Sequence, residues 1–202
     1  MNTSRLLSLA LLGVLGLFAA VPTMAQTQYR VGSASQFWID GTSTVNSFTC
    51  AASEVAGHGV VKAAESPSQH TDLNAEVVIP VRAFDCGVRQ MNRDMYEALK
   101  GQAHPAVRFA IDSAEVLPAP PYAEWTPVKV WGTITLAGEQ RPVTVTAQGR
   151  RLGDGRVRVQ GQHALRMTDF DITPPTGLLG LVRAHDDIVV RFDLIASATG
   201  TN

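Results

Sequence analysis

The sequence predicts an antiparallel all-β domain of about eight strands, a sandwich or a barrel, interrupted by one short helix. Apolar and polar residues alternate through most of the 202-residue chain, which is the period of a strand with one buried face. Turn residues separate these runs at short intervals, as in sandwiches and barrels. No helical pattern separates successive strands, so a parallel sheet is not expected.

The strands are predicted from apolar faces that recur along the chain. They fall at residues 29–31, 37–44, 45–54, 56–61, 73–81, 106–116, 128–136, 143–147, 157–165 and 188–196. Residues 117–127 are rich in proline, which cannot donate to a sheet ladder, and therefore form a loop. The segment Leu152-Gly-Asp-Gly is a hairpin turn, because glycine accepts the positive φ that such turns need.

Residues 91–100 form the predicted helix. Its apolar face consists of residues at helical spacing: Met91, Met95, Ala98 and Leu99. Gly101 and Pro105 end the helix. A strand follows at once, since Val107, Phe109 and Ile111 alternate with polar or small neighbours. The helix is thus a single insertion in a β protein.

The N-terminus has the pattern of an export signal. Arg5 precedes an apolar run over residues 6–20, which is too short to span a bilayer comfortably. Thr23-Met-Ala25 has the small residues of a cleavage site at its first and last positions. We expect residues 1–25 to be removed as a signal peptide, residues 26–202 to form one domain, and the mature protein to reside in the periplasm.

The chain contains two cysteines, Cys50 and Cys86. An exported chain enters an oxidising compartment, which favours a disulfide between them. Two separate buried thiols are the alternative.

Charge and aromatic content exclude two classes of protein. Lys and Arg (17) nearly balance Asp and Glu (18), so no nucleic-acid partner is expected. The basic cluster at Arg150, Arg151, Arg156 and Arg158 is interpreted as a solvated hairpin face, and contact with anionic lipid head groups is the alternative. Only 6% of the residues are aromatic, whereas outer-membrane barrels carry aromatic girdles; stable membrane insertion is therefore not expected.

Several segments together resemble the YceI-like family of periplasmic lipid-binding barrels. They are Tyr29-Arg-Val with Gly41-Thr-Ser-Thr-Val, residues 90–100 with His104-Pro-Ala-Val-Arg-Phe, Gly132-Thr-Ile-Thr-Leu-Ala-Gly with Arg141-Pro-Val-Thr-Val, Phe170-Asp-Ile-Thr-Pro-Pro, and residues 187–194. The resemblance implies a lipocalin-like antiparallel barrel with a hydrophobic tunnel for a long isoprenoid-type lipid. The family has no agreed catalytic residues, so the resemblance assigns none here.

Strand parity places a set of side chains in one interior, which we predict to bind the ligand. The set comprises Phe37, Val77, Ile79, Phe109, Val130, Ile134, Val145, Ala147, Val159, His163, Val190 and Phe192. Small residues on the same faces leave volume, and the large ones make it apolar. A small barrel can hold one ligand or fill its interior with side chains, so a packed core is the alternative.

Polar residues give weaker evidence for a binding site or a metal site. His163 falls on the apolar face, where it would bond a ligand head group; the simpler interpretation is a core histidine bonded to a neighbour. His185, Asp186 and Asp187 are adjacent, so alternate residues would point to opposite faces, and we interpret them as a solvated loop rather than a metal site. We expect no metal, and no cofactor apart from a bound isoprenoid lipid or quinone.

The sequence leaves two classes of function open. The first is a carrier that sequesters an amphiphilic lipid, such as a polyprenyl compound or a quinone. The second is a stress-related structural or interaction module whose core is merely packed. Neither class is enzymatic, because the common motifs of hydrolases, metalloproteases and phosphate-binding loops are absent from the sequence. Association as a homodimer stays open.

Overall fold

The computed structural model describes residues 26–62, 70–177 and 181–201, so the predicted signal peptide at 1–25 lies outside the described residues. Within these ranges the chain forms twelve strands, one α-helix and two 3-10 helices. The strands are β1 (Gln26–Val31), β2 (Gln36–Ser43), β3 (Ser47–Ala52), β4 (Ala56–Lys62), β5 (His70–Pro80), β6 (Phe84–Asp85), β7 (Ala106–Val116), β8 (Thr126–Leu136), β9 (Glu139–Arg151), β10 (Val157–Arg166), β11 (Thr176–Gly177) and β12 (Val182–Thr201). The helix α1 spans Arg89–Ala98, and the 3-10 helices span Val81–Ala83 and Met167–Phe170.

Eight antiparallel strands close into a barrel. Their order around the wall is β1, β4, β5, β7, β8, β9, β10 and β12, and pairing of β1 with β12 completes the ring. The predicted all-β fold with one inserted helix is confirmed, and of the two architectures left open the barrel is the one formed. Closure leaves no free edge wherever these strands are paired with both neighbours.

The remaining strands lengthen the wall at one end of the barrel. One edge of the 20-residue strand β12 pairs first with β2 and then with β1, which follow one another along the chain. β3 pairs with β2 in turn, and the short β6 pairs with β3. The predicted strand over residues 45–54 is shorter than expected, because Ser43 N–H donates to the Asn46 carbonyl (2.7 Å) and a tight turn precedes β3.

The helix lies at this same end, which we call the helix end. It begins two residues earlier than predicted, at Arg89, and ends at Ala98. The Leu99 N–H donates to the Met95 carbonyl (2.9 Å), and the chain then turns into β7. The Tyr96 hydroxyl donates to the Phe84 carbonyl (2.7 Å), which attaches α1 to β6.

A buried apolar cluster covers part of the helix end. It joins the end of α1, the 3-10 helix at Met167–Phe170 and the turn between β8 and β9. Its buried members are Val81, Leu99, Ile134, Leu136, Ala137, Met167, Phe170, Ile172 and Ile188. Burying a large apolar side chain stabilises a fold by about 1.5–3 kcal/mol, so this cluster is a main source of stability for the covered end.

Candidate functional site

The barrel encloses a cavity of about 530 Å³. Pockets that bind small molecules have volumes of about 300–1,000 Å³. All twelve residues that strand parity placed in the interior line this cavity: Phe37, Val77, Ile79, Phe109, Val130, Ile134, Val145, Ala147, Val159, His163, Val190 and Phe192. The structure thus brings the predicted set together, and its contact with a ligand stays a prediction.

The strand register explains how these residues meet. Val77 on β5 is paired with Phe109 on β7, which is paired in turn with Ile134 on β8. Because side chains alternate between the two faces of a strand, the whole row points into the barrel. The row therefore forms a continuous apolar part of the cavity wall.

Small residues preserve the volume on the opposite side of the cavity. Ala147 on β9 is paired with Gly161 on β10, and Gly161 is paired with Phe192 on β12. A Cβ atom at Gly161 would lie 2.7 Å from Cζ of Phe192, so glycine leaves room for that ring. The sequence left open a core filled by its own side chains. The cavity of about 530 Å³ does not agree with that alternative.

Helix α1 adds lining residues that the predicted site did not include. Met91, Met95, Ala98 and Leu99, the predicted apolar face of the helix, all line the cavity. Helical periodicity could identify this face, but not whether it would meet a solid core or a cavity. Methionine is flexible and polarisable, and therefore adapts to ligands of irregular shape.

The predicted disulfide between Cys50 and Cys86 is confirmed. It joins β3 to the segment before α1, and both cysteines line the cavity. The Cys86 N–H donates to the Asn92 side-chain oxygen (2.8 Å), and the Asn92 amide donates to the Asp85 carboxylate (2.9 Å). The Asn92 amide, together with the Gly87 N–H, lowers the pKa of Asp85 from its ordinary value. The start of α1 is thus held by both covalent and polar bonds.

Most polar side chains of the lining are paired. The Ser43 hydroxyl donates to Asn46 (2.9 Å), and the Gln90 amide donates to Asp94 (2.6 Å). Arg108 forms an ion pair with Glu76 (3.0 Å). These pairs leave little polar surface free to compete with an apolar ligand.

His163 differs from the other polar lining residues. It has no hydrogen-bond partner within the described part of the chain, so the interpretation of a core histidine bonded to a neighbour is not supported. Burial lowers the pKa of His163 from its ordinary value of 6.5, because the apolar surroundings disfavour the imidazolium. The imidazole is therefore neutral at pH 7 and offers one donor and one acceptor.

The cavity reaches solvent at the helix end. Val45 in the turn between β2 and β3 is 66% exposed, and Val88 before α1 is 55% exposed, yet both line the cavity. Val182 and Ala184 on β12 also line the cavity. We call the opening between Val45 and Val88 the mouth.

Among the described residues, no three His, Cys, Asp or Glu side chains are grouped closely enough to hold a metal ion. The predicted loop at residues 185–187 is instead part of β12. There His185 contacts the Thr42 hydroxyl (2.8 Å), and Asp186 accepts hydrogen bonds from Thr168. No helix within the described ranges has the length and apolar character needed to cross a membrane.

The fold and the cavity define an eight-stranded barrel with an apolar interior of ligand-binding size. Residues 26–196 match the YceI-like domain family, and the chain belongs to that family. The resemblance inferred from the sequence motifs is therefore confirmed. No curated protein is significantly similar to the chain.

Solved structures share this architecture at low sequence identity. Burkholderia cenocepacia BcnA is 20% identical, with a TM-score of 0.63 over 83% of this chain and 99% of its own. A polyisoprenoid-binding domain from Saccharophagus degradans is 14% identical, with a TM-score of 0.60 over 84% of this chain and 98% of its own. A Campylobacter jejuni YceI protein is 16% identical, with a TM-score of 0.53 over 75% of this chain and 84% of its own. At these identities the similarity shows the fold alone.

Proposed function

We propose that the protein is a periplasmic carrier that sequesters a long-chain isoprenoid-type lipid or quinone inside the barrel. The observation that carries the proposal is the apolar cavity of about 530 Å³, lined from both sides of the barrel and by α1. Each methylene group that moves from water into such a wall gains about 0.8 kcal/mol. A prenyl chain would therefore bind without any charged contact.

The remaining features support this role. The Saccharophagus degradans domain of similar fold is named as polyisoprenoid-binding. The N-terminal pattern and the disulfide both agree with an exported protein in an oxidising compartment. The proposal includes no catalytic step, since the lining consists mainly of apolar side chains and of polar ones that bond to each other.

The test is native mass spectrometry of the protein purified from its own host without detergent. We expect a bound species that is lost on denaturation and is recovered by extraction into organic solvent. The same protein after extraction should bind added farnesol. A native mass equal to that of the polypeptide, together with no binding of farnesol, would overturn the proposal.

A further inference from the structure

The ladder between β9 and β10 stops before either strand ends. Its last pair is Ala147 with Gly161, although β9 begins at Glu139 and β10 continues to Arg166. β9 remains paired with β8 as far as Glu139, and β10 remains paired with β12 as far as Arg166. The two strands therefore follow different neighbours and separate. We call the gap between residues 141–146 and 162–166 the seam.

The seam passes through the barrel wall. A cleft at this position is lined by Pro142 and Ala164, which are exposed outward-facing residues of their strands. Val143 and Leu165, which face inwards by strand parity, line it as well. A depression on one surface of a sheet would contact residues of one parity only. Residues of both parities show that this cleft lies between the strands.

His163 connects the seam with the interior. It lines both the cavity and the cleft, and Leu165 does the same. An imidazole without a partner in an apolar wall carries a desolvation cost that a ligand hydrogen bond would remove. The position thus places an unpaired polar group where the cavity and the cleft, which Asp169 and the buried Phe170 also line, share a wall.

We propose that the seam receives the polar head of the bound amphiphile, with His163 hydrogen-bonded to an uncharged oxygen of that head and the chain extending into the cavity. This inference rests on the proposed function and names the ligand class more narrowly: an isoprenoid alcohol, phenol or quinone. The common chemistry is a neutral hydroxyl or carbonyl oxygen at one end of an apolar chain.

The charges at the outer lip of the seam favour a neutral head over a phosphate. Arg141 is paired with Glu139 (3.1 Å), and Arg166 is paired with Asp169 (2.8 Å). No cation that lines the described cleft is free of a carboxylate partner. The lowered pKa of His163 also keeps the imidazole uncharged at pH 7.

The test compares the binding of three small molecules that share an isoprenoid skeleton: farnesol, the hydrocarbon farnesene, and farnesyl phosphate. The wild type should bind farnesol about three- to tenfold more tightly than farnesene, the range expected for one hydrogen bond. Farnesyl phosphate should bind no more tightly than farnesol. The His163→Leu variant should lose the preference for farnesol, and His163→Gln should retain part of it. His58→Leu, which changes an exposed histidine on β4 outside the cavity lining, should keep the preference.

A second measurement locates the head group. Nitroxide labels attached through Ala164→Cys, beside the seam, and Val45→Cys, at the mouth, are compared with farnesol isotope-labelled at its carbinol carbon. The label at residue 164 should broaden the carbinol resonance more strongly than the label at residue 45.

The outcomes separate this inference from the proposed function. Equal affinity for farnesol and farnesene, tighter binding of the phosphate, or stronger broadening from residue 45 would overturn the head-group assignment and leave the carrier role intact. Failure of all three probes to bind would overturn both.

Discussion

The Sγ atom of Cys86 lies 3.8 Å from the Sδ atom of Met95. Because Cys86 is bonded to Cys50, this contact is between a disulfide and a thioether, with no S–H to donate. Met95 packs against the buried cluster at the helix end and against a second buried group, which consists of Val55, Ile79 and Phe84. It also lines the cavity. The disulfide therefore connects β3 with the second turn of α1 and, through Met95, with the cavity wall.

Removal of the disulfide should destabilise the protein and loosen α1. Cys50 and Cys86 are 36 residues apart, and the chain-entropy model assigns a closed loop of this length about 4 kcal/mol. The double variant Cys50→Ala/Cys86→Ala should lose about 2–4 kcal/mol of unfolding free energy in urea titrations. Amide hydrogen exchange in α1 should be faster than in the wild type, because the segment before the helix is no longer anchored.

A reducing agent provides the matched control for that variant. It should lower the unfolding free energy of the wild type to the value of the double variant, and leave the double variant unchanged. Equal stability of oxidised wild type and double variant would show that the disulfide does not constrain the fold.

The substitution Ala147→Trp tests whether the interior is free space. Ala147 is 3% exposed and lines the cavity. Overpacking a filled core costs about 1–3 kcal/mol, whereas an indole that projects into open space should cost less than about 1 kcal/mol. We expect near-normal thermal unfolding of the ligand-free variant and loss of co-purifying lipid, measured by calorimetry and by organic extraction.

Gln148→Trp is the control for this experiment. Gln148 is the exposed, outward-facing neighbour on β9 outside the seam, so the same indole stays outside the barrel. This variant should retain its lipid. Strong destabilisation of Ala147→Trp, with no lipid extracted from the wild type, would favour a packed core after all.

Strand parity explains why the cavity wall was predictable from sequence. Val77 and Phe109 lie far apart along the chain, yet each alternates with polar or outward-facing neighbours, and a period of two assigns the inward face without knowledge of the partner strand. The same reasoning placed His163 correctly on the inner face. Local periodicity is sufficient when the only question is which face is buried.

The seam and the mouth could not be predicted in this way. The separation of β9 from β10 arises because each follows a different neighbour, β8 or β12, and pairing between distant segments leaves no local pattern. The exposure of Val45 depends likewise on where the turn after Ser43 meets α1. Pro142, which has no N–H to donate, is the one local signal at the seam.

Gly132→Ala should be one of the most destabilising single substitutions in the barrel wall. A Cβ atom at Gly132 would lie 2.1 Å from the Ala110 carbonyl oxygen, which is backbone and cannot rotate away. The close approach accompanies a register shift between β7 and β8 at Ile111 and Ser113. We expect a loss of about 1–3 kcal/mol or more in urea unfolding, typical of forced backbone shifts.

Gly149→Ala is the comparison for Gly132→Ala, since no heavy atom lies within 4 Å of its added Cβ. It removes backbone freedom from the unfolded chain without a clash, and should change stability by at most about 1 kcal/mol. Similar losses in the two variants would mean that glycine is required for strand geometry in general rather than for this contact.

The lowered pKa of His163 predicts a pH-dependent contribution to stability. Because the folded-state pKa lies below the ordinary value of 6.5, the unfolded chain binds the proton more readily than the folded chain. The unfolding free energy should therefore fall as the pH drops through about 6.5 towards the folded-state pKa. Burial is the cause of this lowered pKa, since Arg141 and Arg166, which line the adjacent cleft, are each paired with a carboxylate.

The measurement is urea unfolding of the wild type and His163→Gln at about pH 7.5 and about pH 5.5, a range that spans the ordinary histidine pKa. The variant lacks the titrating group, so its stability relative to the wild type should improve at the lower pH. Gln162→Leu, which changes the exposed neighbour on β10 and removes no proton-binding group, should show the same pH dependence as the wild type. A difference between His163→Gln and the wild type that is constant with pH would mean that His163 titrates alike in both states, and that the apolar wall does not desolvate it.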